Sequence, residues 1–176
     1  NLQLRIISAV VLAAVVFGLS WLGGPAFRLL AIVIGLAVYF EWQAMAGQGR
    51  SGAYRAFCWA SMIACFVLIL AGVAPGWMFG AVALAVVAAA LAGMFLGQGL
   101  GVAAGLAYAG FPAAALSLLR GDSPEGIVAV IFLFATVWAT DIFAYFAGRR
   151  FGGPKLAPRI SPNKTWSGAA GGAAAA

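Results

Sequence analysis

Long uninterrupted apolar runs are the feature that most constrains the fold of this chain. Six such runs, each about 20 residues long, occupy residues 6–22, 26–46, 57–73, 77–96, 100–119 and 126–147. That length suits an α-helix crossing the ~30 Å hydrocarbon core of a bilayer. Within hydrocarbon the backbone must satisfy its own hydrogen bonds, so spanning segments are helices or closed barrels. Barrel strands alternate apolar and polar residues, so the continuous runs predict an all-α, polytopic membrane bundle of about six transmembrane helices.

Composition leads to the same class of protein. Of the 176 residues, 65% are hydrophobic and 8% are charged, and the mean hydropathy is +1.06. Soluble chains carry roughly a quarter charged residues, so the bilayer must solvate most of this sequence. We expect transmembrane helices over 1–147, a cytoplasmic basic loop over 148–164, and the start of a seventh helix over 165–176. We also expect that helix to continue past the end of the chain.

The absence of histidine removes several classes of chemistry. Histidine-based acid–base catalysis, Ser-His triads and Cys/His zinc sites are all excluded. Cys58 and Cys65 lie on one predicted helix, roughly 10 Å apart along its axis, which is too far for a disulfide. We interpret both as packing residues. Any metal would therefore be held by oxygen, which points to Mg²⁺ or a similar hard cation.

Basic residues are distributed unequally between the two sides of the predicted bundle. One side collects eight of them and the other collects two. The eight are Arg5, Arg50, Arg55, Arg149, Arg150, Lys155, Arg159 and Lys164, and the two are Arg28 and Arg120. Because cytoplasmic loops carry the excess of Lys and Arg, the N-terminus and the segment 148–164 are predicted to be cytoplasmic.

Small residues recur every four positions across the predicted fourth and fifth helices. The series is Gly93, Gly97, Gly101, Gly105 and Ala109. Such spacing lets helices approach closely, and one interpretation is a face that forms a homodimer. We favour the other interpretation, which is packing within one chain or a glycine-rich turn near residues 97–101.

Four carboxylates are available for chemistry: Glu41, Asp122, Glu125 and Asp141. Asp122 and Glu125 are expected at the solvated start of the sixth helix, where negative charge suits the helix dipole. Glu41 is expected to pair with a nearby arginine. Asp141 falls inside the sixth helix, and an ionisable group inside a membrane segment is by default a functional candidate. The alternative for Asp141 is a structural ion pair with a cation of the following loop.

Helical spacing gives Asp141 two aromatic neighbours. Trp138 and Tyr145, three residues before and four after it, should share its face of the sixth helix. We therefore expect this face to line a protein interior or a wet cleft.

The basic segment after the sixth run combines features that suit phosphate groups. Five cations alternate there with Gly, Pro, Ser, Asn and Thr; they are Arg149, Arg150, Lys155, Arg159 and Lys164. Lys and Arg supply charge, short polar side chains donate hydrogen bonds, and Gly lets the backbone approach. Thr165 should open the next helix, whose N-terminus favours an anion. The alternative is an ordinary positively charged loop that contacts anionic lipid headgroups.

Three motifs between residues 138 and 166 carry a resemblance to a known family. They are Trp138-Ala139-Thr140-Asp141, Ala144-Tyr145-Phe146-Ala147-Gly148-Arg149, and Lys155-Leu156-Ala157-Pro158-Arg159-Ile160-Ser161-Pro162-Asn163-Lys164-Thr165-Trp166. Together they resemble the CDP-diacylglycerol synthase (phosphatidate cytidylyltransferase) family. The family's C-terminal signature, a Lys-Asp followed by a glycine-rich stretch and Asp-Arg-x-Asp, has no counterpart here. We therefore expect the chain to carry only part of an active site and to be inactive by itself.

The resemblance implies a reaction, a location and roles for particular residues. CTP and phosphatidic acid would give CDP-diacylglycerol and pyrophosphate, with Mg²⁺, at the cytoplasmic face of a bacterial inner membrane. Asp141 would hold the metal, and Asp141 and Lys164 would be catalytic. The phosphate-binding residues would be Arg149, Lys155, Arg159, Ser161, Asn163 and Thr165. Membrane lipids are expected partners, and nucleic acid is not.

Other functions remain open from the sequence. A small-solute transporter or channel is suggested by the many small residues, a break near residues 97–101 and one intramembrane carboxylate. Against it, the chain has no internal repeat and no matching pair of interrupted helices. A related enzyme that uses CTP to activate an isoprenoid lipid is a nearer alternative.

Overall fold

The computed structural model describes residues 2–46 and 50–176, with only the backbone of Leu2 and Arg5. Within these residues the chain forms helices joined by short connections, followed by one hairpin and a final helix. The elements are α1 (Leu2–Leu22), α2 (Gly24–Ala46), α3 (Gly52–Ala71), α4 (Pro75–Phe95), α5 (Gly101–Arg120), α6 (Pro124–Phe151), β1 (Lys155–Ala157), β2 (Ser161–Thr165) and α7 (Trp166–Ala175).

The lengths of these helices confirm the predicted class of fold. Helices α2 to α6 are each long and apolar enough to cross a membrane, and α1 contributes the shorter apolar stretch Ile6–Leu22. The predicted polytopic helical membrane bundle is therefore present. Several helices extend beyond their apolar runs. The largest extensions are in α1, which begins at Leu2 rather than residue 6, in α3, which begins at Gly52 rather than residue 57, and in α6, which continues to Phe151.

Local capping explains where α3 and α4 begin and end. Ser51 accepts a hydrogen bond from the Tyr54 amide at 3.2 Å, which caps the N-terminus of α3 ahead of its apolar run. Gly72 ends the same helix in the left-handed conformation, with φ of 67°, where glycine avoids the usual steric cost. Pro75 then opens α4 at a position that needs no amide donor.

The chain divides into two compact units, residues 1–127 and 128–176. In the first unit α5 packs against α2, α3 and α4, while α1 packs against α2. The core contains the fully buried side chains of Tyr39, Tyr54, Met62 and Leu106. Cys58 and Cys65 are both free and buried, which confirms their interpretation as packing residues.

Glycines in the first unit allow close approach between helices of the same chain. The indole Nε1 of Trp42 donates to the Gly101 carbonyl at 2.7 Å, and a Cβ on Gly105 would lie 2.9 Å from Cγ of that ring. Ala109 is 2% exposed, and Gly97 takes a φ of +65° in the turn between α4 and α5. The favoured interpretation, packing within one chain plus a turn, is confirmed, and this spacing requires no second copy.

The two arginines predicted on the less basic side lie at one end of the first unit and have partners there. Arg28 pairs with Asp122 at 2.9 Å. Asp122 is therefore more than a solvated helix start, although an exposed ion pair stabilises a fold only slightly.

Arg120 is 6% exposed and is satisfied without a carboxylate. Its guanidinium donates to backbone carbonyls of Ser20 at 2.5 Å, Trp21 at 3.1 Å, Ser123 at 3.1 Å and Gly121 at 3.3 Å. The last carbonyls of a helix have no partner within that helix. Arg120 therefore supplies donors to the C-terminal turn of α1 and to the connection before α6.

The other two carboxylates of the first unit lie on exposed surfaces. Glu125 occupies the first turn of α6, as predicted. Glu41 lies in a shallow groove beside Trp42 and Tyr108. The arginine partner expected for Glu41 is not found among the side chains that the structure describes.

Replacing Gly105 with alanine should destabilise the first unit. The new methyl group would displace Trp42 from the Gly101 carbonyl, and overpacking of this kind costs about 1–3 kcal/mol. The measurement is the thermal unfolding midpoint in detergent, together with the tryptophan emission spectrum. Gly80→Ala is the matched control, because nothing lies within 4 Å of a Cβ at that helical position. Equal midpoints for the two variants would contradict the close packing at Gly105.

Candidate functional site

The second unit contains a β-hairpin in the segment predicted as a basic loop. Helix α6 runs on to Phe151 before Gly152 and Gly153, with φ of 59° and 98°, turn the chain away. Strands β1 and β2 then pair antiparallel, with Lys155 opposite Thr165. The turn between them is closed by the Ile160 amide, which donates to the Ala157 carbonyl at 3.1 Å.

Thr165 links the hairpin to the final helix. Its hydroxyl accepts from the Gly168 amide at 3.2 Å and so caps α7, which confirms that Thr165 opens a helix. The Ser167 hydroxyl donates to the Gly152 carbonyl, and the Trp166 amide donates to the Pro154 carbonyl at 3.1 Å. These bonds hold the glycine turn, the hairpin and the start of α7 together.

Glycines bring α7 against the end of α6. A Cβ on Gly168 would lie 2.9 Å from the Ala144 carbonyl oxygen, and one on Gly172 would lie 3.0 Å from the Thr140 carbonyl oxygen. A Cβ on Gly148 would lie 3.0 Å from the Thr165 hydroxyl. Larger side chains at these three positions would push the two helices apart.

The end of α6, the hairpin and the start of α7 enclose a cleft of about 1010 Å³. Seven of the eight residues predicted for the site line this cleft: Asp141, Arg149, Lys155, Ser161, Asn163, Lys164 and Thr165. The eighth, Arg159, lies exposed in the hairpin turn and does not line the cleft. The register explains the difference, since Ala157 pairs with Ser161 and leaves Arg159 at the tip.

Asp141 is exposed to the cleft and makes no ion pair with any residue of the described part of the chain. The alternative of a structural ion pair with a loop cation is therefore not observed. Of its two predicted aromatic neighbours, Tyr145 lines the same cleft. Trp138 does not, and instead stacks on Phe134 with ring centroids 6.0 Å apart.

Sequence reasoning placed Tyr145 near Asp141 but gave it no role in the site. In the structure its hydroxyl accepts a hydrogen bond from Arg149 Nη1 at 2.7 Å, and Arg149 Cζ lies 6.0 Å from its ring centroid. The sequence spacing predicts this contact between Tyr145 and Arg149, because residues 141, 145 and 149 follow one another at four-residue intervals on one helical face.

The charges around the cleft favour a polyanion. Among the described residues that line it, three are cations, Arg149, Lys155 and Lys164, and one is a carboxylate, Asp141. The N-terminus of α7, where Gly168 and Ala169 line the cleft, adds a positive partial charge. Phosphate groups are the anions that such a mixture of cations, hydroxyls and backbone amides binds best.

The donor set fits Mg²⁺ held jointly with a substrate. No group of three or more His, Cys, Asp or Glu side chains that could hold a metal is found among the described residues. Mg²⁺, however, is usually bound by one or two carboxylates together with waters and substrate phosphates. Asp141 can supply one carboxylate, and the cationic cleft can supply the phosphates by binding a phosphorylated substrate.

Comparisons with known proteins identify the family. A family model described as the cytidylyltransferase family matches residues 3–176. The chain therefore belongs to the cytidylyltransferase family, which confirms the resemblance carried by its α6 and hairpin motifs. No solved structure matches the chain.

Two similar proteins support the same family assignment. A phosphatidate cytidylyltransferase of Brucella abortus biovar 1 (strain 9-941) is 49% identical over 180 residues, which cover all of this chain and 65% of the relative. A phosphatidate cytidylyltransferase of Pseudomonas aeruginosa is 35% identical over 186 residues, which cover 98% of this chain and 67% of the relative. The chain thus spans 65% of the length of the Brucella relative.

Replacing Thr165 with valine should loosen the start of α7 without changing the shape of residue 165. The Gly168 amide would lose its acceptor, and loss of an N-cap costs roughly 0.5–2 kcal/mol. We expect faster hydrogen exchange at the first amides of α7 and a lower unfolding midpoint. Thr165→Ser keeps the hydroxyl and is the control. Unchanged exchange in the valine variant would show that the cap does not hold the helix.

Proposed function

We propose that the protein transfers a cytidylyl group from CTP to phosphatidic acid, giving CDP-diacylglycerol and pyrophosphate. The observation that carries the proposal is the cleft, which Asp141 lines together with Arg149, Lys155 and Lys164. The carboxylate of Asp141 makes no ion pair within the described residues. Membership of the cytidylyltransferase family and the names of the relatives support it. The family match also favours a transferase over a transporter or channel.

The residues of the cleft suit this reaction. An ionised phosphate oxygen of phosphatidic acid attacks the α-phosphorus of CTP, and the bond from that phosphorus to the pyrophosphate oxygen breaks. The attacking oxygen needs no side-chain base, because it is already ionised. Lys155 and Lys164 would stabilise the negative charge that grows on the departing pyrophosphate. Ser161, Asn163 and Thr165 would donate hydrogen bonds to the phosphates.

Mg²⁺ is part of the proposal, with Asp141 as its protein ligand. When bound, Mg²⁺ would neutralise phosphate charge and polarise the phosphoryl oxygens. Arg159 is a weaker candidate for a phosphate contact than Lys155 or Lys164, because it lies outside the cleft lining.

We also propose that the protein resides in a bacterial inner membrane, with its N-terminus and its hairpin in the cytoplasm. The excess of basic residues on that side supports this orientation. It would place the cleft where CTP arrives from water and phosphatidic acid arrives from the membrane.

Asp141→Asn should abolish cytidylyl transfer while leaving the fold intact. The substitution keeps the size of the side chain and removes the charge, and Asp141 has no partner in the described structure whose loss would destabilise it. The assay is incorporation of labelled CTP into lipid by the full-length gene product in detergent with phosphatidic acid and Mg²⁺. We expect a loss of roughly 100-fold or more, with an unchanged unfolding midpoint.

Lys164→Ala is the companion variant in the same assay, and it should lower the rate of transfer because a cleft cation is lost. Arg150→Ala is the matched control, since Arg150 is exposed and does not line the cleft. Retained turnover in Asp141→Asn would remove Asp141 from the mechanism. No lipid product from the folded wild-type protein would refute the proposed activity.

Cysteine labelling should test the orientation. The two native cysteines are buried, so the introduced cysteines of Arg159→Cys and Ser123→Cys can be compared directly. A membrane-impermeant maleimide should label position 123 in cells whose inner membrane is intact. It should label position 159 only after that membrane is permeabilised. The reverse pattern would invert the proposed topology.

A further inference from the structure

One face of α6 presents three polar or aromatic side chains to the cleft at regular intervals. Asp141, Tyr145 and Arg149 are separated by four residues each, which is about 6 Å of rise per step. All three line the cleft. The proposed transfer reaction uses the carboxylate of Asp141. It gives no role to the ring of Tyr145, which lies between Asp141 and Arg149 along the helix.

Tyr145 is the one aromatic residue among those that line the cleft in the described structure. The residue is 57% exposed, so its ring is not buried in the core. Nucleobases stack on exposed aromatic rings, and removing such a ring typically weakens binding roughly 5- to 150-fold. A ring beside phosphate-binding cations is therefore placed to receive the base of a nucleoside triphosphate.

Arg149 is positioned to read the edge of that base. Its Nη1 donates to the Tyr145 hydroxyl at 2.7 Å, and its other guanidinium donors have no partner among the described residues. Guanidinium offers donors and no acceptor. The pairing edge of cytosine presents two adjacent acceptors, N3 and O2, whereas uracil carries a hydrogen on N3. The guanidinium thus matches cytosine and opposes uracil.

We infer that Tyr145 is the platform on which the cytosine ring of CTP stacks, and that Arg149, oriented by the Tyr145 hydroxyl, selects cytosine over uracil. The inference rests on the proposed function, because it assumes that CTP occupies the cleft. It assigns Arg149 to the base and leaves the triphosphate to Lys155 and Lys164.

Equilibrium binding to the full-length protein in detergent tests this assignment, with CTP, UTP and inorganic tripolyphosphate as probes in the presence of Mg²⁺. The wild-type protein should bind CTP more tightly than the other two probes. Tyr145→Leu should weaken CTP binding roughly 5- to 150-fold and leave tripolyphosphate binding unchanged. Tyr145→Phe keeps the ring but releases Arg149, so CTP should still bind while its advantage over UTP falls.

A matched control is Phe143→Leu, which removes another exposed aromatic ring of α6 that does not line the cleft. All three affinities should be unchanged in it. If Tyr145→Leu does not fold, Tyr145→Trp decides, because a larger ring should retain CTP binding.

The outcomes separate the inference from the proposed function. Equal losses of CTP and tripolyphosphate binding in a folded Tyr145→Leu protein, or no loss of either, would overturn the stacking role. Loss of CTP binding in a folded Tyr145→Trp protein would do the same. Wild-type protein that binds tripolyphosphate as tightly as CTP would overturn base recognition but not phosphate binding. Wild-type protein that binds none of the probes would overturn both.

Discussion

Backbone contact between the end of α6 and the start of α7 sets the geometry on which the candidate site depends. Gly168 and Gly172 leave room for the carbonyls of Ala144 and Thr140 to approach α7 directly. The short distance brings the capped N-terminus of α7 to the cleft that Asp141 lines. Because the contact is made by backbone atoms, no side-chain movement can absorb an added methyl group. The small residues of α7 therefore belong to the site as much as its charged residues do.

Two pairs of cations in the described chain have different surroundings. Arg120 is buried and fully engaged by backbone carbonyls, and Arg28 is neutralised by Asp122. In the cleft, Lys155 and Lys164 have no ion-pair partner among the described residues. Unpaired cations close together repel one another, and a structural role would have been served better by pairing. Their arrangement favours binding of an external polyanion.

The sequence predicted the helices well because the signal for a membrane span is local and strong. Continuous apolar runs located α2 to α6, and the four-residue glycine spacing located close helix packing. The end of α6 was not predictable in the same way. The charge and the Gly/Pro content of residues 148–164 are typical of a loop. In the structure, however, Arg149 and Arg150 continue α6, which ends before Gly152 and Gly153, two glycines with positive φ.

Charge and sequence motifs predicted most residues of the candidate site. The prediction was less accurate where the register of the β-hairpin determines whether a side chain lines the cleft. Which basic residues reach the cleft depends on how β1 pairs with β2, and no local pattern distinguishes Lys155 from Arg159. Tyr145 was predicted on the correct face but without a role, because its ring carries no charge that would indicate a phosphate contact. Helical spacing grouped Tyr145 with Asp141, but the same face was not extended to Arg149, four residues further along α6.

The single carboxylate in the cleft bears on how the site can use a metal. A cage built only from protein would need several acidic side chains, and the described residues supply no such cluster. Among the described residues, Asp141 is one carboxylate beside three cations, a donor set that suits a metal whose other ligands include phosphate oxygens. The same charge balance disfavours a bare cation as cargo, because Arg149, Lys155 and Lys164 would repel it. The charges of the described residues therefore favour an anion-binding cleft over a cation pathway through this unit.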